Sequence, residues 1–269
     1  MSLAQLVHPA PAAAVTLLSA ALAAILSTDA GRPPVDLRVA LTTLGVAGSQ
    51  ITTGAVNDWA DRHRDARVQP TKPIPAGNVT PRAALLLAAA GLAIQLVANV
   101  PLGLAATTWG VVALASAQTY NLGLSATPYS VVPYLVSFGS LPLWIASGVG
   151  VPLERVVPAA LLVPPFAAAA HLANAARDFD ADAAAGRRNL AQLLGRRASH
   201  ATAFGLTVAV AAVSAVLFAG SGRLAPVTLG LGCIGLAAVA AGWRSAESLW
   251  RGMLVAAVAW TAAWALGTG

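Results

Sequence analysis

Long apolar stretches dominate the chain, and short segments rich in polar or turn-forming residues separate them. A transmembrane helix needs about 20 predominantly apolar residues, and windows of roughly that length recur along the whole sequence. Gly and Pro residues mark several of the breaks, for example at 31–34 and at 220–222. The pattern predicts nine helices, at residues 10–28, 37–57, 82–100, 102–121, 129–150, 156–174, 200–220, 224–243 and 249–267.

Composition supports a membrane protein. Of the 269 residues, 57% are hydrophobic and 10% are charged, whereas a soluble domain has about 25% charged residues. The first apolar window has no preceding Lys or Arg, so we expect a retained span and not a secretory signal. We predict an all-α, integral membrane bundle of about nine transmembrane helices, forming a single domain over residues 1–269.

The basic residues indicate an orientation in the membrane. The net charge is +6, but no basic run is interleaved with aromatic residues, so we expect no nucleic-acid partner. The loops after even-numbered windows carry twelve Lys and Arg residues, and the opposite loops carry four. Because basic residues concentrate on the cytoplasmic side, we predict a cytoplasmic N-terminus and an external C-terminus. We expect the membrane to be a bacterial cell membrane, with lipid as a partner.

Two polar segments stand apart from the apolar windows. Residues 58–81 and 175–199 total 49 positions and hold 15 of the 26 charged residues. Both follow even-numbered windows, so both are predicted to be cytoplasmic. They contain six of the ten acidic residues: Asp58, Asp61, Asp65, Asp178, Asp180 and Asp182.

Both polar segments contain the pattern N-x-x-x-D-x-x-x-D, and the two copies begin 117 residues apart. Residues four apart on a helix lie on nearly the same face, about 6 Å apart along the axis. Each copy therefore predicts a polar stripe on the exposed end of a membrane helix. The first acidic stripe is Asn57, Asp61 and Asp65, and the second acidic stripe is Asn174, Asp178 and Asp182.

Carboxylates one turn apart repel each other, so the repeated pattern favours a bound cation. Mg²⁺ typically takes one or two carboxylates together with substrate phosphates. Four carboxylates and a diphosphate carry a total charge of about −7, and two Mg²⁺ ions contribute a charge of +4. Nearby basic side chains can neutralise the remaining negative charge. The alternative is that these acids are solvated loop residues paired with neighbouring arginines.

These motifs resemble the UbiA superfamily of intramembrane prenyltransferases. Residues 57–65 resemble the N-D-x-x-D-x-x-x-D motif of that family, and residues 177–195 resemble its second aspartate-rich segment. Residues 72–77, Lys-Pro-Ile-Pro-Ala-Gly, resemble its R-P-x-P-x-G stretch, with Lys72 in place of the usual Arg. Nine helices of this spacing also match, so the resemblance covers nearly the whole chain.

The resemblance implies an Mg²⁺-dependent enzyme that binds an isoprenyl diphosphate. Its metal ligands would be Asp58, Asp61, Asp65, Asp178 and Asp182. Its catalytic residues would be Asp61, Asp65, Asp178, Asp182 and Tyr120. Its substrate-binding residues would be Asn57, Arg64, Lys72, Asn121, Asn174 and Arg177.

One departure from the family pattern concerns the segment after the fourth window. Many members carry a Y-S-x-P-P-x-x-x-K-like segment whose Lys helps to bind the diphosphate, but residues 120–128 of this chain contain no basic residue. Either the site is altered or another cation neutralises the diphosphate, and the candidates are Lys72, Arg64, Arg67, Arg177 and Arg187. Lys72 is the only lysine of the chain. Pro residues restrict the loop that carries it, which would hold Lys72 near the first acidic stripe.

The predicted function is transfer of a prenyl group from an isoprenyl diphosphate to an acceptor in the membrane, with release of diphosphate. We expect the acceptor to be hydrophobic or aromatic. Two related alternatives stay open, a UbiA-like terpene cyclase and a prenyltransferase to a non-aromatic acceptor. A cation-coupled transporter is a third alternative. It fits less well because transporters place binding charges near the bilayer midplane, whereas both acidic stripes are predicted at one membrane edge.

Overall fold

The computed structural model describes residues 3–218 and 225–267, and every regular element in these two ranges is helical. Contacts divide the chain into two compact units. The first unit comprises residues 1–125 and 139–157, and the second comprises residues 126–138 and 158–269. The prediction of a single domain stays a prediction.

The first unit begins with a short 3₁₀ helix, Leu3–Val7, followed by four long helices. They are α1 (Pro9–Asp29), α2 (Leu37–Val68), α3 (Pro81–Asn99) and α4 (Leu104–Asn121). Helix α5 (Val132–Val149) begins in the second unit and ends in the first.

The second unit contains four longer helices and two short ones. The longer helices are α6 (Val157–Arg177), α9 (Arg196–Phe218), α10 (Ala225–Ala241) and α11 (Ala246–Gly267). The short helices α7 (Phe179–Ala184) and α8 (Leu190–Leu194) lie between α6 and α9.

Side-chain caps set the start of the two helices that lead into and away from the first polar segment. Asp36 precedes α2 and accepts a hydrogen bond from the Val39 N–H at 2.8 Å. Thr80 precedes α3 and accepts from the Ala83 N–H at 3.1 Å, with Pro81 at the first helical position. These caps satisfy N–H groups that have no partner within a helix, so the boundaries follow from local sequence.

Helices α2 and α3 approach closely through small residues. A Cβ on Gly91 of α3 would lie 2.7 Å from the Gly48 carbonyl oxygen of α2. Thr52 on α2 donates a hydrogen bond to the Ala88 carbonyl of α3 at 3.1 Å. Close backbone approach and interhelical hydrogen bonds are typical of helix packing in membranes.

Each unit has its own buried core. In the first unit Trp144 is buried against side chains from α2, α4 and the turn before α4, and its indole N–H donates to Asn99 at 3.2 Å. The members of the core in the second unit lie on α6, α9, α10 and α11. They are Ala169, Leu172, Ala173, Ala203, Val239, Leu249, Met253 and Ala256.

The all-α membrane fold is confirmed. Seven helical segments of the described residues are long and apolar enough to cross a membrane. The predicted windows at 102–121 and 249–267 are helical, as α4 and α11, but are not among these seven. A count of nine spans therefore stays a prediction, and the break expected at 220–222 lies outside the described residues.

Two helices continue beyond the apolar windows that predicted them, in the direction that the acidic stripes required. Helix α2 continues to Val68, eleven residues beyond its predicted end at 57, so 58–68 is helix and not loop. No Gly or Pro occurs between Gly54 and Pro70, so nothing in this stretch breaks the helix. Helix α6 likewise continues past residue 174 to Arg177.

Candidate active site

The first acidic stripe lies on the last three turns of α2. Because this helix is unbroken to Val68, Asn57, Asp61 and Asp65 stand one turn apart, as their spacing predicted. Asp58 lies seven residues before Asp65 and therefore on a similar face of the helix. The site of the first unit is built on these four residues.

Asp65 is the most enclosed acid of the first stripe. Its side chain accepts a hydrogen bond from Lys72 Nζ at 2.7 Å and one from Arg64 Nη2 at 3.0 Å. The same Arg64 nitrogen lies 2.8 Å from an oxygen of Asp61. Asp65 is 0% exposed, so the expectation that this stripe lies on an exposed helix end was wrong for Asp65, because two cationic side chains cover it.

Lys72 joins Asp65 to Asp58. Its ammonium group lies 2.7 Å from Asp65 Oδ2 and 3.1 Å from Asp58 Oδ1. Burial alone would lower the pKa of Lys72, but its hydrogen bonds and charge interactions with Asp65 and Asp58 raise that pKa above its ordinary value. Lys72 is therefore a fixed positive charge at neutral pH, held against two carboxylates.

The loop that carries Lys72 is compact. Its backbone closes on itself through Val79 N–H to Pro73 O at 3.1 Å and Gly77 N–H to Ile74 O at 3.0 Å, and Gly77 has a φ of +74°. Ile74 and Val79 pack in a small apolar cluster. The loop places Lys72 at the acidic stripe, as the sequence predicted from its prolines.

Asp58 has a second partner that sequence reasoning missed. His8 Nε2 lies 3.2 Å from Asp58 Oδ1, and Asp58 is 4% exposed. The two residues are fifty positions apart, and no periodic pattern in the sequence joins them. Only the folded chain could show that the N-terminal segment reaches the first acidic stripe.

Asn57 and Asn121, both predicted to bind substrate, contact each other. Asn57 Nδ2 donates to Asn121 Oδ1 at 3.2 Å. Asn121 in turn donates to the Thr53 carbonyl oxygen at 3.0 Å, which joins the end of α4 to α2. Tyr120 is the preceding residue on α4 and is half-buried. The first unit thus places Asn57, Asn121 and Tyr120 close to the same end of α2.

The second acidic stripe keeps its helical spacing across a break. Helix α6 ends at Arg177 and α7 begins at Phe179. The Asp178 N–H nevertheless donates to the Asn174 carbonyl at 3.1 Å, and the Asp182 N–H donates to the Asp178 carbonyl at 2.9 Å. Asn174, Asp178 and Asp182 therefore follow one another by single turns.

The acids of the second stripe also have nearby partners. Arg177 Nε donates to Asp178 at 3.0 Å, and its guanidinium lies 3.7 Å from Glu247 at the start of α11. Asp182 accepts from Asn189 Nδ2 at 2.7 Å, and Arg187 lies 3.8 Å from it. Sequence reasoning assigned no role to Asn189 or Glu247.

The donor chemistry of both stripes fits Mg²⁺. Carboxylate oxygens are the hard ligands that Mg²⁺ prefers, and it needs only one or two of them when substrate phosphates complete its shell. In residues 3–218 and 225–267 no group of three or more His, Cys, Asp or Glu side chains could hold a metal alone. Lys72 and Arg64 neutralise the first stripe, so it already binds cationic groups.

The sequence profile of the UbiA prenyltransferase family matches residues 16–252. The chain belongs to this family, which confirms the family resemblance found in the sequence. Its apolar helices and its family make it a multi-pass membrane protein.

Several known proteins are similar in sequence to the chain. Digeranylgeranylglyceryl phosphate synthase of Halobacterium salinarum is 32% identical over 223 residues, covering 80% of this chain and 76% of that protein. The enzyme of the same name from Natronomonas pharaonis is 34% identical over 64% of this chain and 63% of its own length. The 4-hydroxybenzoate octaprenyltransferase of Herminiimonas arsenicoxydans is 32% identical over 56% of this chain, and the match spans about half of that enzyme, 52%.

Solved structures show the same fold. A UbiA homologue from Archaeoglobus fulgidus bound to GPP and Mg²⁺ has a TM-score of 0.71 and 17% identity, over 100% of both chains. The apo structure of a UbiA homologue from Aeropyrum pernix K1 has a TM-score of 0.72 and 22% identity, over 92% of this chain and 96% of that one.

Proposed function

We propose that this protein transfers a prenyl group from an isoprenyl diphosphate to an electron-rich acceptor in the membrane, with Mg²⁺ as cofactor. The observation that carries the proposal is the convergence of Asp58, Asp61 and Asp65 on two cationic groups at the end of an apolar helix. Carboxylates that pair with side-chain cations can exchange those cations for a metal ion, which also binds the phosphates of a substrate.

In this proposal each acidic stripe binds metal through its own carboxylates. Asp58, Asp61 and Asp65 would bind metal at the first stripe. Asp178 and Asp182 would bind metal at the second. Asn57 and Asn174 supply neutral polar groups one turn before these acids. Mg²⁺ bound there would act as a Lewis acid toward the departing diphosphate.

Basic side chains complete the binding of the diphosphate. Lys72 and Arg64 already lie within hydrogen-bonding distance of the first stripe, and Arg177 contacts Asp178 in the second. Charge-assisted hydrogen bonds to a phosphate oxygen are shorter and stronger than neutral ones. Since residues 120–128 contain no basic residue, we assign diphosphate contacts to Lys72 and Arg64 at the first stripe and to Arg177 at the second.

The reaction then requires separation of charge in a water-poor environment. The bond between the allylic carbon and the diphosphate oxygen breaks, the acceptor atom bonds to that carbon, and the acceptor loses a proton. Apolar helix surfaces keep water away from the electron-deficient carbon and so limit hydrolysis. Asn121 and Tyr120, at the end of α4, would orient the diphosphate or the acceptor through Asn57, to which Asn121 is hydrogen-bonded.

For the acceptor we propose an aromatic ring, as in the relatives named 4-hydroxybenzoate octaprenyltransferase. A glycerol phosphate is a second candidate, because the match to a digeranylgeranylglyceryl phosphate synthase covers 80% of the chain. Membership of the UbiA family argues against a cation-coupled transporter.

A reconstitution experiment tests the proposal. The purified protein in lipid vesicles is incubated with geranyl, farnesyl or geranylgeranyl diphosphate, with and without Mg²⁺, and with 4-hydroxybenzoate, a glycerol phosphate or no acceptor. We expect Mg²⁺-dependent diphosphate release and one prenylated acceptor by mass spectrometry. Diphosphate release with a cyclic hydrocarbon and no acceptor requirement would indicate a terpene cyclase. No release with any donor would contradict the proposal.

A further inference from the structure

We infer that His8 is a positioning residue that orients the Asp58 carboxylate for metal binding. The inference rests on the proposed function, because it assigns Asp58 to the metal site. It concerns a residue outside both acidic stripes and outside every motif in the sequence. His8 would act through Asp58 and not by contact with the substrate.

The backbone of His8 is strained in a way that places its ring on Asp58. His8 has a φ of +51° and a ψ of 68°, and among the described residues it is the only residue other than Gly with a positive φ. A left-handed conformation costs an L-residue free energy, and it persists where the surrounding structure holds it. Here it accompanies a contact of 3.2 Å between His8 Nε2 and Asp58 Oδ1.

The segment before His8 is anchored by tight packing. Leu6 is 0% exposed and belongs to the apolar cluster that also contains Val79 and Ile74 from the Lys72 loop. A Cβ on Gly54 of α2 would lie 2.5 Å from the Leu6 carbonyl oxygen, so only Gly admits this approach. Gly54 lies one turn before Asp58. The same packing therefore places the N-terminal segment and the Lys72 loop against the acidic end of α2.

Both donors meet the same oxygen of Asp58. His8 Nε2 is 3.2 Å and Lys72 Nζ is 3.1 Å from Asp58 Oδ1. An ionised carboxylate only accepts hydrogen bonds, so both groups donate. Because both contacts fall on Oδ1, Oδ2 is the oxygen that we assign to the cation. Two donors on Oδ1 restrict rotation of the carboxylate and fix the direction of Oδ2.

This arrangement predicts that His8 increases the metal affinity of the site. A carboxylate that is already oriented loses less conformational freedom when it binds a cation. Groups that hydrogen-bond to metal ligands typically contribute about 10- to 100-fold to metal affinity. Removing the imidazole should therefore weaken metal binding without removing a ligand.

The test measures Mn²⁺ binding to the purified full-length protein in detergent by electron paramagnetic resonance, with inorganic diphosphate present to complete the shell of the metal and a protein-free sample as the reference. His8→Gly removes the ring and tolerates the left-handed backbone, and His8→Gln replaces the imidazole N–H with an amide donor of similar reach. We expect His8→Gly to weaken Mn²⁺ binding about tenfold and His8→Gln to restore at least part of that loss. In turnover, His8→Gly should raise the Mg²⁺ concentration for half-maximal rate more than it lowers kcat at saturating Mg²⁺.

A double-variant comparison shows whether the effect passes through Asp58. In an Asp58→Asn background, we expect His8→Gly to change Mn²⁺ affinity less than twofold. Equal Mn²⁺ affinity of His8→Gly and the unchanged protein would overturn the inference, and so would an undiminished effect in the Asp58→Asn background. If His8→Gly does not fold, His8→Asn, whose side chain stops short of the Nε2 position, replaces it. Absence of Mn²⁺ binding by the unchanged protein would contradict the proposed function itself.

Discussion

Lys72 Nζ lies 2.7 Å from Asp65 Oδ2, and this ion pair joins a proline-rich loop to the last turns of helix α2. Asp65 is fully buried, and the side chain of Lys72 is mostly buried. A buried ion pair must recover a large desolvation cost, so removing one partner leaves an uncompensated charge. The pair therefore makes the position of Lys72 depend on the acidic stripe, and that dependence underlies the first prediction.

Lys72→Gln should raise the KM for prenyl diphosphate about tenfold, since a charge-assisted contact contributes roughly 1.5–3 kcal/mol. Steady-state kinetics with a varied donor at saturating Mg²⁺ measure this change. Arg62→Gln is the matched control, because Arg62 donates to the Trp59 carbonyl and stacks on the Trp59 ring. Unchanged donor kinetics in Lys72→Gln would mean that arginines bind the diphosphate.

The same variant carries a pH prediction. Because Asp65 and Asp58 raise the pKa of Lys72 despite its burial, Lys72 stays protonated throughout the neutral range. Any stabilisation from this shift is present below the ordinary pKa of lysine and is lost only as the pH rises through the raised value. The ratio of KM values between Lys72→Gln and the unchanged protein should therefore be constant from pH 6 to pH 9. A ratio that varies strongly within this range would contradict the assignment.

Single substitutions in the acidic stripes should remove most activity. We expect this for Asp61→Asn, Asp65→Asn, Asp178→Asn and Asp182→Asn, because each deletes a charge proposed to bind metal. Asp180→Asn is the control, since Asp180 lies between two stripe residues but has a side chain that is 85% exposed and pairs with Arg196. Turnover is measured at saturating Mg²⁺, with thermal unfolding to check the fold. Full turnover in any two of the four variants would exclude a metal site on both stripes.

Cysteine labelling tests the predicted topology. The chain has one cysteine, Cys233, so a Cys233→Ala background allows single probes at Arg67→Cys and Arg188→Cys, both at exposed positions. The excess of basic residues in the loops after even-numbered windows predicts that both probes are cytoplasmic. They should react with an impermeant maleimide only after the cells are opened. Labelling of either probe on intact cells would reverse the proposed sidedness.

The contact between α2 and α3 predicts a stability difference between two glycines. A Cβ on Gly91 would lie 2.7 Å from the Gly48 carbonyl oxygen and 2.8 Å from the Thr52 nitrogen. Gly91→Ala should therefore lower the free energy of unfolding by about 1–3 kcal/mol, the usual cost of overpacking. Gly205→Ala on α9 meets no atom within 4 Å and should be neutral or slightly stabilising, since Ala favours helix. Thermal unfolding of both variants in detergent compares them.

Sequence reasoning predicted the fold class and the composition of the first acidic stripe because both depend on local spacing. Helical periodicity alone places Asp61 and Asp65 on one face of α2. It did not predict the end of α2, because a polar stretch without Gly or Pro can be helix or loop until its surroundings are known. Nor did it predict that Asp65 is buried, since burial depends on the Lys72 loop folding back.

Short-range patterns identify the apolar helices, the acids that recur at one-turn spacing and the family that the chain resembles. Which distant groups meet depends on how the chain folds. His8 reaches Asp58 across fifty residues, and Asn57 meets Asn121 across sixty-four. No spacing rule covers such separations. Close approach depends on packing, here on the absence of a side chain at Gly54, which lets the N-terminal segment lie against α2.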